Sequence, residues 1–319
     1  MHNITLDPSL LHALAGKTAI VTGAAGGIGT AITRLILEHG ANVVMADLEH
    51  TRATVQTTIA SLPDSTLGRV QFVATDITVW DQMTALFHAA RERFGPLSLV
   101  VANAGVMESE GVLDVDGEGA IDKAGNLREA RDFATVIDVN VKGTMNCLRL
   151  ALFAMKGNDR EPRACFSDGS RGAVVLVSSI SGYFGGTGVA GYVSSKHAVT
   201  GILRASQRAA SRYGVRVHAV APFVTPTAMA GGFSRAWRER GLPINTTEGV
   251  AAAVLALAVD ARAEAGSCYM VIGDILREVE HARKSFLEEW LGEDLARVFR
   301  DAADFFESQG GYQLPRARV

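Results

Sequence analysis

The chain has 319 residues, with 31 Lys and Arg against 34 Asp and Glu and a formal net charge of −3. Hydrophobic residues at 48% and charged residues at 20% exclude a largely disordered chain, and the lack of a basic surplus removes the electrostatic case for nucleic acid. Glycine is in excess, 33 residues or roughly 10% against a usual ~7%, which implies many tight strand-to-helix turns.

Met1 to Leu14 has neither the basic n-region nor the apolar h-region of a signal peptide. Lys17 to Thr22 (KTAIVT) is a short apolar run suited to a buried strand, and a glycine turn follows it. Thr30 to His39 has helical spacing, with Gly40 as its C-cap. Further strands are expected at Asn42 to Asp47, Val70 to Thr75, Leu97 to Ala102, Ala173 to Ser178, Val215 to Ala221 and Ser267 to Ile272. Apolar strands alternating with helices imply an α/β fold, a seven-stranded parallel sheet with helices on both faces. No 18 apolar residues run together, so no membrane span is expected, and Val250 to Val259 reads as a core helix.

Three stretches break the rhythm. Glu108 to Asn126 and Lys156 to Arg171 read as polar, solvated insertions. Beyond Asp274, Ile275, Val279, Phe286, Leu291, Leu295 and Phe299 recur at roughly helical spacing, which predicts one or two amphipathic helices. The organisation is then an N-terminal extension (1–16), one α/β domain (17–274) and a helical C-terminal extension (275–319). The three cysteines, Cys147, Cys165 and Cys268, include no CxxC pair, so no disulfide framework or thiolate metal site is expected, and the cytosol is the default compartment.

Chemistry concentrates at a few points. Gly23, Gly27 and Gly29 of TGAAGGIG (22–29) lie between the first strand and first helix, where glycines let the backbone approach a pyrophosphate at a helix N-terminus. Asp47 ends the second strand, 18 residues past Gly29. A carboxylate there accepts from the ribose hydroxyls of NAD and repels the 2′-phosphate of NADP, and the following Leu48 offers no cation. Tyr192 and Lys196 form a Y-x-x-x-K pair on one helix face, where a nearby ammonium favours a phenolate. Ser179 lies thirteen residues before Tyr192, at the end of the fifth strand.

TGxxxGIG at 22–29, Asp76, Asn103 to Gly105, Asn140, Ser179 and YxxxK at 192–196, in this order, resemble the short-chain dehydrogenase/reductase family. The likeness is to its standard single-domain type, and within it to fungal members with a C-terminal extension, over about Lys17 to Asp274; it implies a Rossmann-type doubly wound fold for that domain. The resemblance implies roles. Tyr192 is the general acid/base; Lys196 holds the nicotinamide ribose and lowers the tyrosine pKa. Ser179 orients the carbonyl or carbinol oxygen, and Asn140 holds a water in a proton relay. Ile28, Leu48, Asp76, Ile77, Asn103, Ala104, Gly105 and Pro222 belong to the cofactor cleft. The family's carboxamide-binding threonine falls on Thr227, with Thr225 as competitor. Phe223 stands where the family has glycine, which narrows the pocket or places a ring against substrate. The resemblance further implies a homodimer or homotetramer through the helices at Asn140 to Met155 and Ala198 to Tyr213.

The loops after the fourth, fifth and sixth strands supply Val106, Met107, Ile180, Tyr183, Phe184, Val189, Phe223, Met229, Phe233 and Trp237, an apolar wall with few fixed charges. The expected substrate is a lipophilic secondary alcohol or ketone, terpenoid, steroid or polyketide-like, and no metal is called for. Two other readings stand beside it: an isomerase or cyclase on the same scaffold with a non-redox or recycled nucleotide, and a non-catalytic nucleotide-binding protein.

Overall fold

The first strand, β1 (Thr18–Thr22), is buried at every residue, which explains why its sequence is continuously apolar instead of alternating. The turn after it leads into α1 (Gly27–Glu38), which ends at Gly40 with a φ of 81°, a left-handed conformation that glycine adopts without strain. The chain continues through β2 (Asn42–Asp47), α2 (Arg52–Ala60), β3 (Val70–Ala74), α3 (Trp80–Phe94) and β4 (Leu99–Ala102). Then come α4 (Arg131–Ile137), a π-helical segment over Asp138–Gly143, α5 (Thr144–Met155), β5 (Ala173–Val177), α6 (Ala190–Tyr213), β6 (Arg216–Pro222), α7 (Ser234–Glu239), α8 (Thr247–Val259) and β7 (Cys268–Ile272). This computed structural model describes residues 4–116, 119–160, 165–232 and 234–315.

The strands form one sheet in the order β3-β2-β1-β4-β5-β6-β7, all parallel. The order reverses between β1 and β4, which opens a crevice at the carboxyl ends of those strands, where such sheets bind ligands. One apolar layer joins α1 and α8 to one face of the sheet, and a second joins α3, α5 and α6 to the other. In α8, Val250 and every residue from Ala253 to Val259 are buried, as expected of a core helix. Among the described residues, no helix is long and apolar enough to cross a membrane.

Two features differ from expectation. The sheet has an eighth strand, β8 (Ile275–Glu278), antiparallel to β7. Gly273 and Asp274 both take positive φ, 57° and 60°, and this two-residue turn folds the chain back along β7. The Asp274 carboxylate also accepts from the Thr246 N–H and hydroxyl at the start of α8. The rest of the tail forms three helices where one or two were expected: α9 (Glu280–Ser285), α10 (Leu287–Leu291) and α11 (Glu293–Ser308). The second difference is the polar stretch 156–171, which is docked on the core; its residues 161–164 lie outside the described residues. Asn158 is buried and donates to the Leu97 and Arg171 carbonyls, Lys17 donates to Cys165 O, and Asp168 pairs with Arg216. These partners lie at the amino ends of the strands, away from the crevice.

Candidate active site and nucleotide cleft

The glycine loop is a cradle that side chains would fill. A Cβ on Gly23 would stand 2.7 Å from Ala104 Cα, one on Gly27 would stand 2.8 Å from Thr227 Cγ2, and one on Gly29 would overlap the Gly23 carbonyl. Beyond the loop, Gly26 opens α1 without any side-chain cap, which leaves the first N–H groups of the helix to an anion. The Asp47 carboxylate accepts from the Ala25 N–H and the Leu48 N–H, each at 2.8 Å, and so is tied to the loop. A carboxylate has about four acceptor sites, so roughly two remain for hydroxyl groups. Ile28 packs on the core beneath the loop, and Leu48 is exposed beside Asp47.

The far wall of the crevice comes from β3 and β4. The Asn103 side-chain amide donates to the Thr22 and Gly23 carbonyls, and the Asn103 and Ala104 N–H groups both donate to Thr22 Oγ1. This amide staples the end of β4 to the end of β1. Asp76 Oδ1 accepts from the Thr78 N–H and hydroxyl, and Ile77 is buried against Gly143.

Asn140, Ser179, Tyr192 and Lys196 come together next to this wall. Lys196 is buried on α6; its ammonium donates to Val177 O at 2.9 Å and lies 5.5 Å from the Tyr192 ring centroid. An ammonium has three donors, and Val177 O takes one. Ser179 accepts from the Ser181 N–H at 3.1 Å, and its hydroxyl acts on the Tyr192 phenol in the direction of the charged form. Asn140 sits in the π-helical segment. Its side-chain amide donates to Val106 O and Ser195 Oγ, and its Oδ1 accepts from the Val106 N–H, each at 2.8–2.9 Å. Both amide donors are therefore occupied in fixing the β4 loop and α6.

The electrostatics depart from the sequence expectation. In the chain by itself burial raises the Tyr192 phenol above its ordinary range, and the Ser179 hydrogen bond only partly offsets this. Burial also pushes Lys196 down to about 8. The ammonium faces the ring and the Val177 carbonyl, so burial outweighs the charge effect that the Y-x-x-x-K spacing suggests.

After β6, the Thr225 hydroxyl is turned inward, donating to Phe223 O and accepting from Asn245, while Thr227 lies against Gly27 at the cradle. Pro222 O accepts from Ser179 Oγ at 3.4 Å. The Phe223 ring meets Trp237 edge-on at 5.1 Å, which fastens α7 to this loop. Tyr183, expected on the substrate wall, sends its hydroxyl to Glu280 in α9. Phe233 lies outside the described residues.

A family model described as "short chain dehydrogenase" matches residues 17–237. The chain belongs to this family of oxidoreductases. Its members use a nicotinamide cofactor, NAD or NADP, and the glycine cradle, the uncapped helix and the two unengaged donors of Lys196 fit one. Short-chain dehydrogenase reductase 4 of Arabidopsis thaliana is 31% identical over 73% of this chain and 69% of its own length. Zerumbone synthase of Zingiber zerumbet is 30% identical over 68% and 72%. Trans-4-hydroxycyclohexanecarboxylate dehydrogenase of Sinomonas cyclohexanicum is 30% identical over 70% and 77%. A solved short-chain type dehydrogenase/reductase from Mycobacterium marinum superposes with a TM-score of 0.69 at 23% identity, covering 84% of this chain and 98% of the other, which supports the fold.

Two residues that hold this region in place escaped the sequence reading. Ser195 bridges Asn140 to the Tyr192 carbonyl. Glu108, read as the start of a solvated insertion, places both carboxylate oxygens on the first turn of α6, at the Gly191 and Tyr192 N–H groups. Val189 at the N-cap position was the available signal, because a helix start without a capping side chain takes its partner from elsewhere.

Proposed function

We propose that the protein is an NAD-dependent oxidoreductase that interconverts a lipophilic secondary alcohol and its ketone, with Tyr192 as general acid/base. The observation that carries this reading is the convergence of Ser179, Tyr192 and Lys196 at the carboxyl end of β5, with the Lys196 ammonium held by Val177 O 5.5 Å from the Tyr192 ring and Ser179 favouring the charged phenol. In this reading Tyr192 takes the hydroxyl proton of the alcohol, or gives a proton to the carbonyl oxygen. Ser179 holds that oxygen in line, and Lys196 turns its remaining donors to the ribose hydroxyls beside the nicotinamide. Asn140 and Gly105 wall the same space; a Cβ on Gly105 would stand 3.4 Å from Lys196 Nζ. A bound nicotinamide supplies the hydride acceptor or donor. The phenol, held high by burial, needs positive charge nearby before it acts as a base at neutral pH.

Asp47 is the basis for choosing NAD, since it joins the glycine loop at the end of β2 and Leu48 follows it. Thr227, at the cradle, is the better candidate for the carboxamide contact than the inward-turned Thr225. The apolar loops favour a lipophilic substrate, and the name of one relative, a hydroxycyclohexanecarboxylate dehydrogenase, is compatible with a cyclic alcohol. Oxidation is the proposed direction and the cytosol the proposed location. A homodimer or homotetramer is also proposed, since α5 leaves Met145 and Phe153 exposed.

The test is fluorescence titration with NADH and NADPH. NADH binding at least tenfold tighter, about 1.4 kcal/mol, supports Asp47 as the ribose reader, and equal or tighter NADPH binding overturns it. Tyr192→Phe is expected to abolish turnover of secondary alcohols while leaving NADH binding nearly unchanged. Loss of both together would count against the role assigned to the phenol.

A further inference from the structure

Glu108 stands outside the chemistry described so far, yet it is bonded to the catalytic tyrosine's own backbone. Helix α6 carries Tyr192 and Lys196 and runs 24 residues, and its N-cap residue, Val189, has no side chain able to accept from the first turn. The open N–H groups of a helix start need acceptors, and an anion is favoured there by the helix dipole. Glu108 provides both from across the fold: Oε1 accepts from the Gly191 N–H and Oε2 from the Tyr192 N–H, each at 2.8 Å. Charge-assisted bonds of this kind are about twice as strong as neutral ones. The fit is close, since a Cβ on Gly191 would stand 3.3–3.4 Å from all three atoms of that carboxylate.

The segment bearing Glu108 is itself held on both sides. Val106 is bound through its N–H and carbonyl by the Asn140 side chain. The Ser109 N–H and hydroxyl both donate to Asp132 Oδ2, in the first turn of α4. The insertion between Ser109 and Asp132 therefore leaves and rejoins the core at one point, and Glu108 joins that point to the start of α6.

We propose that Glu108 is a positioning residue for Tyr192: its carboxylate caps α6 from the loop after β4 and sets the backbone from which the phenol reaches Ser179. This rests on the reading of Tyr192 as the acid/base, and the experiment separates the two.

The full-length protein is labelled with 15N-tyrosine, whose five residues give at most five amide signals, and Tyr192→Phe identifies the one that matters. In Glu108→Ala the Tyr192 amide is expected to shift and its hydrogen exchange to speed up at least tenfold. Added formate, a carboxylate small enough for the vacated space, is expected to restore protection. The phenol titration, taken as the difference between each variant and the same variant carrying Tyr192→Phe, is expected to move in Glu108→Ala and to return with formate. NADH affinity is expected to stay within twofold. Glu108→Gln, which keeps the shape and one acceptor, serves if the alanine variant does not fold, and its exchange is expected to lie between the two.

An unchanged amide and an unchanged phenol titration would overturn the proposal. So would a loss that formate leaves unrepaired, which marks a merely structural role. Turnover surviving in Tyr192→Phe would refute the acid/base reading alone, since the amide result does not depend on it.

Discussion

His218 gives the sharpest quantitative expectation. It lies on β6 with no exposed surface, and neither ring nitrogen has a hydrogen-bond partner among the described residues. Burial drives its pKa down from 6.5 to about 3; Arg216 and His281 push the same way and Asp168 opposes them. The folded chain therefore holds a neutral imidazole at pH values where the unfolded chain protonates it. Because the folded pKa is depressed, stability is complete above pH 6.5 and is lost as pH falls from 6.5 toward 3. The slope approaches 1.4 kcal/mol per pH unit, and between pH 7 and pH 4.5 this one residue removes about 2.5 kcal/mol.

The carboxylates act in a lower window. Asp260 is lowered by the hydrogen bond from Arg262; in Glu280 the bonds from Arg204 and Tyr183 outweigh the burial that would raise it. Their stabilisation is present above the ordinary carboxylate pKa and disappears only as pH falls through lower values. Urea unfolding at pH 7.0, 5.5 and 4.5, run on the natural chain and on His218→Leu, isolates the imidazole. The variant is expected to match or exceed the natural stability at pH 7, because it removes two unpartnered polar atoms, and to lose about 2.5 kcal/mol less by pH 4.5. Identical pH slopes for the two proteins would refute the reasoning.

Other expectations follow from contacts already described. Gly29→Ala would drive a Cβ into the Gly23 carbonyl, so NADH affinity should fall at least tenfold and stability by about 1–3 kcal/mol, read by titration and thermal melting. Asp47→Asn removes the charge that repels a 2′-phosphate, and the NADPH-to-NADH dissociation-constant ratio should fall about tenfold; an unchanged ratio would mean that Asp47 does not read the ribose. Glu280→Gln weakens the bonds from Arg204 at 2.8 and 2.9 Å and should cost about 1–3 kcal/mol, at the lower end because Arg204 is 43% exposed, with faster proteolysis at the tail as an independent readout. Truncation after Asp274 should cost at least about 2 kcal/mol, since it strips Leu276 from the core and leaves β7 as an open edge; an unchanged melting temperature would show that the tail is dispensable.

The parts of the fold legible in the sequence are those whose environment is uniform along the chain. The parallel strands and α8 are enclosed on all sides, so a plain apolar run identifies them. β8 is a partly exposed edge strand, and Ile275-Leu276-Arg277-Glu278 is compatible with a helical stripe when read alone. The deciding signal was the Gly273-Asp274 pair, which favours a two-residue hairpin. The stretch 156–171 misled by composition, because Asn158 and Asp168 are polar but find partners far away in sequence, at Leu97 and Arg216. Within the site, residues at fixed spacings could be found from the sequence. Glu108, more than eighty residues from the helix it caps, could not. The Y-x-x-x-K spacing gave the proximity of Lys196 to Tyr192 but missed Val177 O as the partner of the ammonium.

The tail is integral to the domain. β7 would otherwise end the sheet, exposing unpaired N–H and C=O groups that invite another strand. β8 pairs along its length, and Ile4 from the N-terminal segment then donates to Leu276 O on the outer side. Glu280, two residues beyond β8 and buried, is bonded by Tyr183, four residues after Ser179, and by Arg204, eight residues after Lys196. The tail thus reaches the segments that carry Ser179 and Lys196, through a buried carboxylate, while it closes the sheet edge. That closure bears on assembly, because a second copy cannot extend the sheet at β7. The exposed Phe153 and Met145 of α5 stay available for the association proposed above, away from that closed edge.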